Sequence, residues 1–353
     1  MMKTLLGFLL TIFIVTLNDT FSQEIKLLPP PGTGVYHGTM AGWGINGDSI
    51  NAERVKNFTR TAGKDVAVVY FGQNWFDGIK FPAKQVQEIH SLGSMPFVSL
   101  LPRSSYKQFH MDSIFSMQRI LDGDFDKELT QWAIDARNSG IPMMLDFAPE
   151  MNGNWFPWSG QFNFYSGDIK TAGRMYRDTY RHVVNIFRSV GAANITWAFH
   201  PNGGSSNHAE WNNMKRYYPG DDYVDWIGVS IYGSQRIGDR WLEIIDTFDD
   251  MYDDMAHISA IKPLAIFEFG VTEDKERGDK SLWIQDVFRL VTEPQYNRIK
   301  LISYWNQNFP IYDSHGKIIN HSIMQIDSSP EVLYVYRENI NKNSFISRPI
   351  LSR

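Results

Sequence analysis

Eight short β-type runs, each followed by a longer stretch of different spacing, constrain this chain more than any other feature. They are Gly34–Gly38, Val66–Phe71, Met95–Leu101, Pro142–Pro149, Asn194–His200, Val224–Ser230, Leu264–Glu268 and Ile299–Trp305. Strands that alternate with helices imply a parallel sheet with crossover connections. Eight of them in one chain of 353 residues imply a closed α/β structure, the (β/α)8 TIM barrel, with an open doubly wound sheet as the alternative. No Gly-x-Gly-x-x-Gly follows an early run and no Gly-Lys-Ser/Thr loop occurs, so the nucleotide-binding versions of such folds lack their phosphate cradle.

The intervening stretches show helical spacing. Leu129, Trp132, Ala133 and Ala136 recur at three and four residues, with Gly140 as the stop. Tyr176, Tyr180, Val183, Val184 and Phe187 form a second set, closed by Gly191. A helix over Arg240–Met255 is expected to keep Trp241, Ile244, Ile245, Phe248 and Met255 on one side and its aspartates in water. The last helix is expected to start at Ser329 as N-cap with Pro330 in its first turn, burying Leu333 and Tyr336, and the tail beyond Asn341 to be a loose end.

Residues 1–22 have the layout of a secretory leader: Lys3, an apolar run from Leu5 to Leu17, then Thr20-Phe21-Ser22. The other reading, a membrane anchor, needs about 20 apolar residues. Residues 23–353 then form one domain, expected to be secreted, extracellular or periplasmic. The chain has no cysteine, so neither disulfides nor thiolates contribute. A formal net charge of -5 gives no basic face for nucleic acid. Aromatic residues make up 14%, and exposed rings are what a protein stacks on sugars. Asn57, Asn194 and Asn320 fall in glycosylation sequons.

Barrel chemistry sits at the C-terminal ends of strands. Two runs end there in a carboxylate: Asp146-Phe-Ala-Pro-Glu150 and Phe267-Glu268-Phe-Gly270. By strict alternation Asp146, Ala148 and Glu150 share a face, as do Leu264, Ile266 and Glu268, so both glutamates face the mouth if their faces are inward. Asp146 is expected to partner Arg103 or another buried cation. Glycosidic cleavage requires such a pair, one carboxyl to protonate the leaving oxygen and one carboxylate to attack the anomeric carbon. A structural pair of salt-bridged glutamates is the competing reading. Glu150 is followed by Met151-Asn152-Gly153-Asn154-Trp155-Phe156-Pro157-Trp158, whose rings and amides suit sugar faces and hydroxyls, and the eighth run ends at Trp305.

The block Glu-Met-Asn-Gly-x-Trp-x-x-Trp with a later Glu-Phe-Gly resembles glycoside hydrolase family 26 of clan GH-A. The resemblance implies a retaining, endo-acting (β/α)8-barrel enzyme, with β-1,4-mannan as substrate ahead of mixed-linkage β-1,3-1,4-glucan or β-1,3-xylan. It implies Glu150 as acid/base, Glu268 as nucleophile, Tyr232 as hydrogen-bond donor to that nucleophile and Trp305 as the platform at the cleavage point. Trp155, Trp158 and Asn152 are the further substrate-binding candidates. Many family members carry His where this chain has Pro149, and His200 is the candidate to supply the missing contacts. A polysaccharide is the expected partner of a monomeric chain, with no nucleic acid, no membrane insertion after leader removal, and no cofactor or metal. A non-catalytic glycan-binding protein is the alternative from another class.

Overall fold

The computed structural model describes residues 24–42, 50–312, 315 and 317–352. The leader assigned to residues 1–22 lies outside the described residues. Every expected run is a strand: β1 Val35–Met40, β2 Val68–Asn74, β3 Met95–Leu101, β4 Met143–Phe147, β5 Ile195–Phe199, β6 Trp226–Tyr232, β7 Leu264–Gly270 and β8 Ile299–Trp305. All neighbouring pairs are parallel, and β1 also pairs with β8, from Tyr36 opposite Leu301 to Met40 opposite Trp305, which closes the barrel. The open-sheet alternative is thereby excluded.

Helices pack outside. They are α1 Ala52–Ala62, α2 Ala83–Ser91, α3 Met117–Leu121, α4 Asp126–Ser139, α5 Ala172–Ser189, α6 Ile245–Ala256, α7 Lys280–Leu290 and α8 Pro330–Ile340. In α4 the four spaced apolar residues are buried and Gly140 takes the left-handed C-terminal position at φ 64°. In α8 the Ser329 side chain accepts from Val332 N, and Val332 and Tyr336 are buried while Leu333 is half-buried. Helix α6 starts at Ile245 rather than Arg240, and Ile245 is exposed. Its preceding residues are held elsewhere: Trp241 covers Gly278, where a Cβ would lie 2.1 Å from the indole. Asp246, Asp249, Asp250, Asp253 and Asp254 are all exposed.

The tail beyond Asn341 is ordered, contrary to expectation. Strand β11, Phe345–Ile346, pairs in parallel with the start of β1, after a hairpin of β9, Asn308–Tyr312, and β10, Ile318–Ile323. Leu351 bridges to Leu27, and Phe345 is buried with its ring 5.1 Å from Phe288. The sequon residue Asn194 is buried too, its amide donating to Ala136 O and Ile141 O.

Side chains inside the barrel form a core separate from the layer between strands and helices. Tyr36, Val68, Phe97, Met144, Ala198, Trp226, Ala265, Phe267 and Leu301 belong to it, whereas Leu264, Ile266 and Phe269 belong to the outer layer. Strict alternation therefore sends Glu268 outward with Leu264 and Ile266. The pairing shows why it does not go there. Ile266 lies opposite Val229, but Glu268 lies opposite Ser230; on the other edge Ile266 lies opposite Ile302 and Phe269 opposite Tyr304. One extra residue is accommodated in β7, a β-bulge, so two consecutive residues, Phe267 and Glu268, point inward. Gly228 on β6 makes room, since a Cβ there would lie 2.5 Å from the Phe267 ring.

Candidate active site

Glu150 also owes its direction to a departure from regular strand. β4 ends at Phe147, and Ala148 and Glu150 follow with φ of 50° and 56°. Left-handed backbone is uncommon for residues with a Cβ and costs on the order of 1–2 kcal/mol each. Both are fixed from β3 and β5: Ala148 N donates to Leu100 O at 3.0 Å and Glu150 N to His200 O at 2.7 Å. Asp146 points into the barrel, while Ala148 sits in the outer layer, so the expected common face does not exist. The turn, rather than strand parity, delivers Glu150 to the mouth.

Glu150 and Glu268 are each 8% exposed and line one cleft of about 1680 Å³ at the C-terminal end of the barrel. The Trp155 indole donates to Glu150 Oε2 at 2.7 Å. Gly153 permits that ring position, because a Cβ there would lie 2.5 Å from the indole. The Tyr232 hydroxyl donates to Glu268 Oε2 at 2.6 Å, and the Tyr232 ring meets Trp305 edge-on at 6.1 Å. Trp155, Tyr232 and Trp305 all line the cleft.

Three candidates are placed elsewhere. Asn152 is fully buried and braces the turn: its amide nitrogen donates to Asn202 O at 2.9 Å and its oxygen accepts from Asn202 N at 2.8 Å. Trp158 is buried, donates to Pro149 O at 2.6 Å and stacks on Phe156. His200 is 1% exposed and does not reach the cleft wall, so it does not occupy the place of a histidine at position 149. It is instead the cation that pairs with Asp146, Nδ1 lying 2.6 Å from Asp146 Oδ2 and Nε2 2.9 Å from Ser230 Oγ. Arg103 is bound to Asn74 on the neighbouring strand, not to Asp146.

Electrostatics follow from this placement. Burial pushes Glu268 up to about 7, and the charge of Glu150 adds to the rise; His200, Tyr232 and Tyr70 oppose it. Burial alone would lower His200, but the hydrogen bond and charge of Asp146, with the charges of Glu268 and Glu150, raise it above its ordinary value. Tyr70, buried on β2 and lining the cleft, escaped the sequence reading. The signal was there: Tyr70 follows inward-facing Val68 by two residues on the same strand.

A (β/α)8 barrel with two carboxyl groups at the ends of β4 and β7, each held by an aromatic donor, defines a barrel built for chemistry by paired carboxylates. Residues 105–283 match Glycosyl hydrolase family 26. The chain belongs to that family. It is 27% identical over 301 residues to endoglucanase H of Acetivibrio thermocellus, covering 84% of this chain and 30% of that protein. A mannan endo-1,4-β-mannosidase of Bifidobacterium adolescentis is 30% identical over 164 residues, covering 44% of this chain and 15% of the relative. The chain thus spans under a third of the length of either. The fold matches that of a Cellulomonas fimi endo-β-1,4-mannanase at a TM-score of 0.62, with 18% identity over 89% of this chain and 72% of the other. The catalytic domain of a Bacillus sp. JAMB-750 endo-β-1,4-mannanase gives 0.61 at 20% identity, covering 89% and 87%.

Proposed function

We propose that this chain is an exported, retaining endo-β-glycanase, with Glu268 as nucleophile and Glu150 as acid/base. The convergence of both glutamates on one open cleft carries the reading. Tyr232 holds Glu268 for attack on the anomeric carbon, and Trp155 holds Glu150 beside the leaving oxygen. Attack transfers the sugar to Glu268 as Glu150 gives its proton to the departing chain; Glu150 then takes a proton from water, which releases the sugar. The cleft exceeds the roughly 300–1,000 Å³ of sites for single small molecules, which favours a polymer running through it.

β-1,4-mannan is the proposed substrate, supported by the mannanases among relatives and structures of like fold. Mixed-linkage β-glucan is the second reading. The relative that covers 84% of this chain is an endoglucanase, and Pro149 stands beside the acid/base where many members have His. Incubation with mannan, barley-type β-glucan and β-1,3-xylan, followed by product size and anomeric configuration, tests substrate, endo action and stereochemistry together. Glu268→Ala is expected to abolish turnover, and Glu150→Ala to be rescued in part by azide on activated substrates. Turnover that survives in Glu268→Ala would remove the assignment. Release of no reducing ends from any glycan that binds would favour a non-catalytic glycan-binding protein.

A further inference from the structure

A stack of rings runs outward from the site. Trp158, bonded to Pro149 O, stacks on Phe156 with centroids 4.5 Å apart and planes at 19°. Phe156 faces the guanidinium of Arg103 at 5.6 Å, and the same guanidinium lies 5.0 Å from the Tyr106 ring. Phe76 closes the far end, edge-on to Tyr106 at 4.5 Å. Arg103 itself is 5% exposed, and its Nε donates to Asn74 Oδ1. Trp158 is buried, whereas Tyr106 is 50% exposed and Phe109, on the same loop, 64%. Phe109 has φ 58°, and its N–H donates to Trp155 O at 3.0 Å, so the loop is strapped to the segment that holds Glu150.

Tyr106 is half exposed although Arg103 and Phe76 pack against its ring, and Phe109 is exposed on left-handed backbone, which is costly for a residue with a Cβ. A ligand with flat apolar faces would cover the ring surface that the fold leaves in water. We propose that Tyr106 and Phe109 form a distal subsite that holds a pyranose ring of the polysaccharide, away from the bond being cleaved. The C–H face of a pyranose fits an aromatic ring, and its hydroxyl edge fits an amide, which Gln108 supplies between the two. All three residues line the same cleft as the carboxylates, so one chain can occupy both places. The inference rests on the reading of the cleft as a β-glycan site.

The test compares wild type, Tyr106→Ala/Phe109→Ala and Tyr106→Phe on two substrates: the polysaccharide that the wild type cleaves, and a short dinitrophenyl glycoside of the same sugar. The double variant is expected to lose roughly tenfold in kcat/KM on the polymer, about 1.4 kcal/mol, mainly through KM, and to keep its rate on the short substrate. Tyr106→Phe keeps the ring and is expected to keep both activities. Equal losses on both substrates, or no loss on the polymer, would overturn the subsite and leave the proposed function standing. A wild type without turnover on any glycan would overturn the proposed function and the subsite with it.

Discussion

His200 and Asp146 form a solvent-excluded ion pair on the barrel side of Glu268, with Nδ1 and Oδ2 2.6 Å apart. His200 also reaches Ser230, the residue opposite Glu268.

This pair makes Asp146→Asn and His200→Phe unequal. Without Asp146, the hydrogen bond and charge that most raise His200 are gone, and burial favours its neutral form. Without His200, Asp146 is left as a buried carboxylate without its partner. His200→Phe is expected to lose about 3–5 kcal/mol in denaturant unfolding at pH 7, and Asp146→Asn distinctly less. Equal losses would contradict the ion pair.

Tyr232→Phe removes a donor that favours ionised Glu268. The carboxyl of Glu268, already near 7, is expected to rise further, so the acid limb of the kcat/KM profile moves to higher pH. A uniform drop in rate with an unmoved limb would assign the tyrosine to substrate binding alone.

Glu268→Gln is expected to stabilise the protein increasingly as pH rises from about 4.5, with the full gain from about 7 upward. Folded Glu268 keeps its proton up to about 7, whereas the unfolded chain releases it near 4.5. Between those values the folded state binds more protons, so wild-type stability falls as pH rises, by about 3 kcal/mol in all. The variant lacks that fall. Urea titrations at pH 4.5 and pH 8 should show near-equal stability at the first and a clear excess for Glu268→Gln at the second.

Phe345→Ala is expected to cost about 3–5 kcal/mol while leaving kcat at 20 °C unchanged. Phe345 is buried beside the start of β1, at the end of the barrel opposite the cleft. A loss of kcat equal to that of an active-site variant would contradict this separation of stability from chemistry.

All eight strands were legible because buried parallel strands are continuous apolar runs that helical spacing interrupts. The pair Glu150 and Glu268 was legible for a chemical reason: each is a carboxylate at the end of a run where charge is costly. Their inward direction was argued from strand parity, and parity does not produce it in either case. At β7 the extra residue is visible only in the register against β6 and β8, and at β4 the two left-handed residues carry no glycine to announce them. Trp158 and Asn152 were misplaced because the same ring and amide types serve a sugar groove and a braced turn. Only their partners, Pro149 O and Asn202, separate the two uses. The tail was misjudged because a two-residue strand has no periodicity to read.

The bulge in β7 carries a lesson for anyone who would rebuild this barrel. Glu268 points at the cleft only while Phe267 can turn inward over Gly228, and that turn is recorded in the offsets against both neighbouring strands. Grafting β7 alone into another barrel would carry the glutamate and lose its aim. The smallest portable unit of this half of the site is therefore three strands wide, β6 through β8.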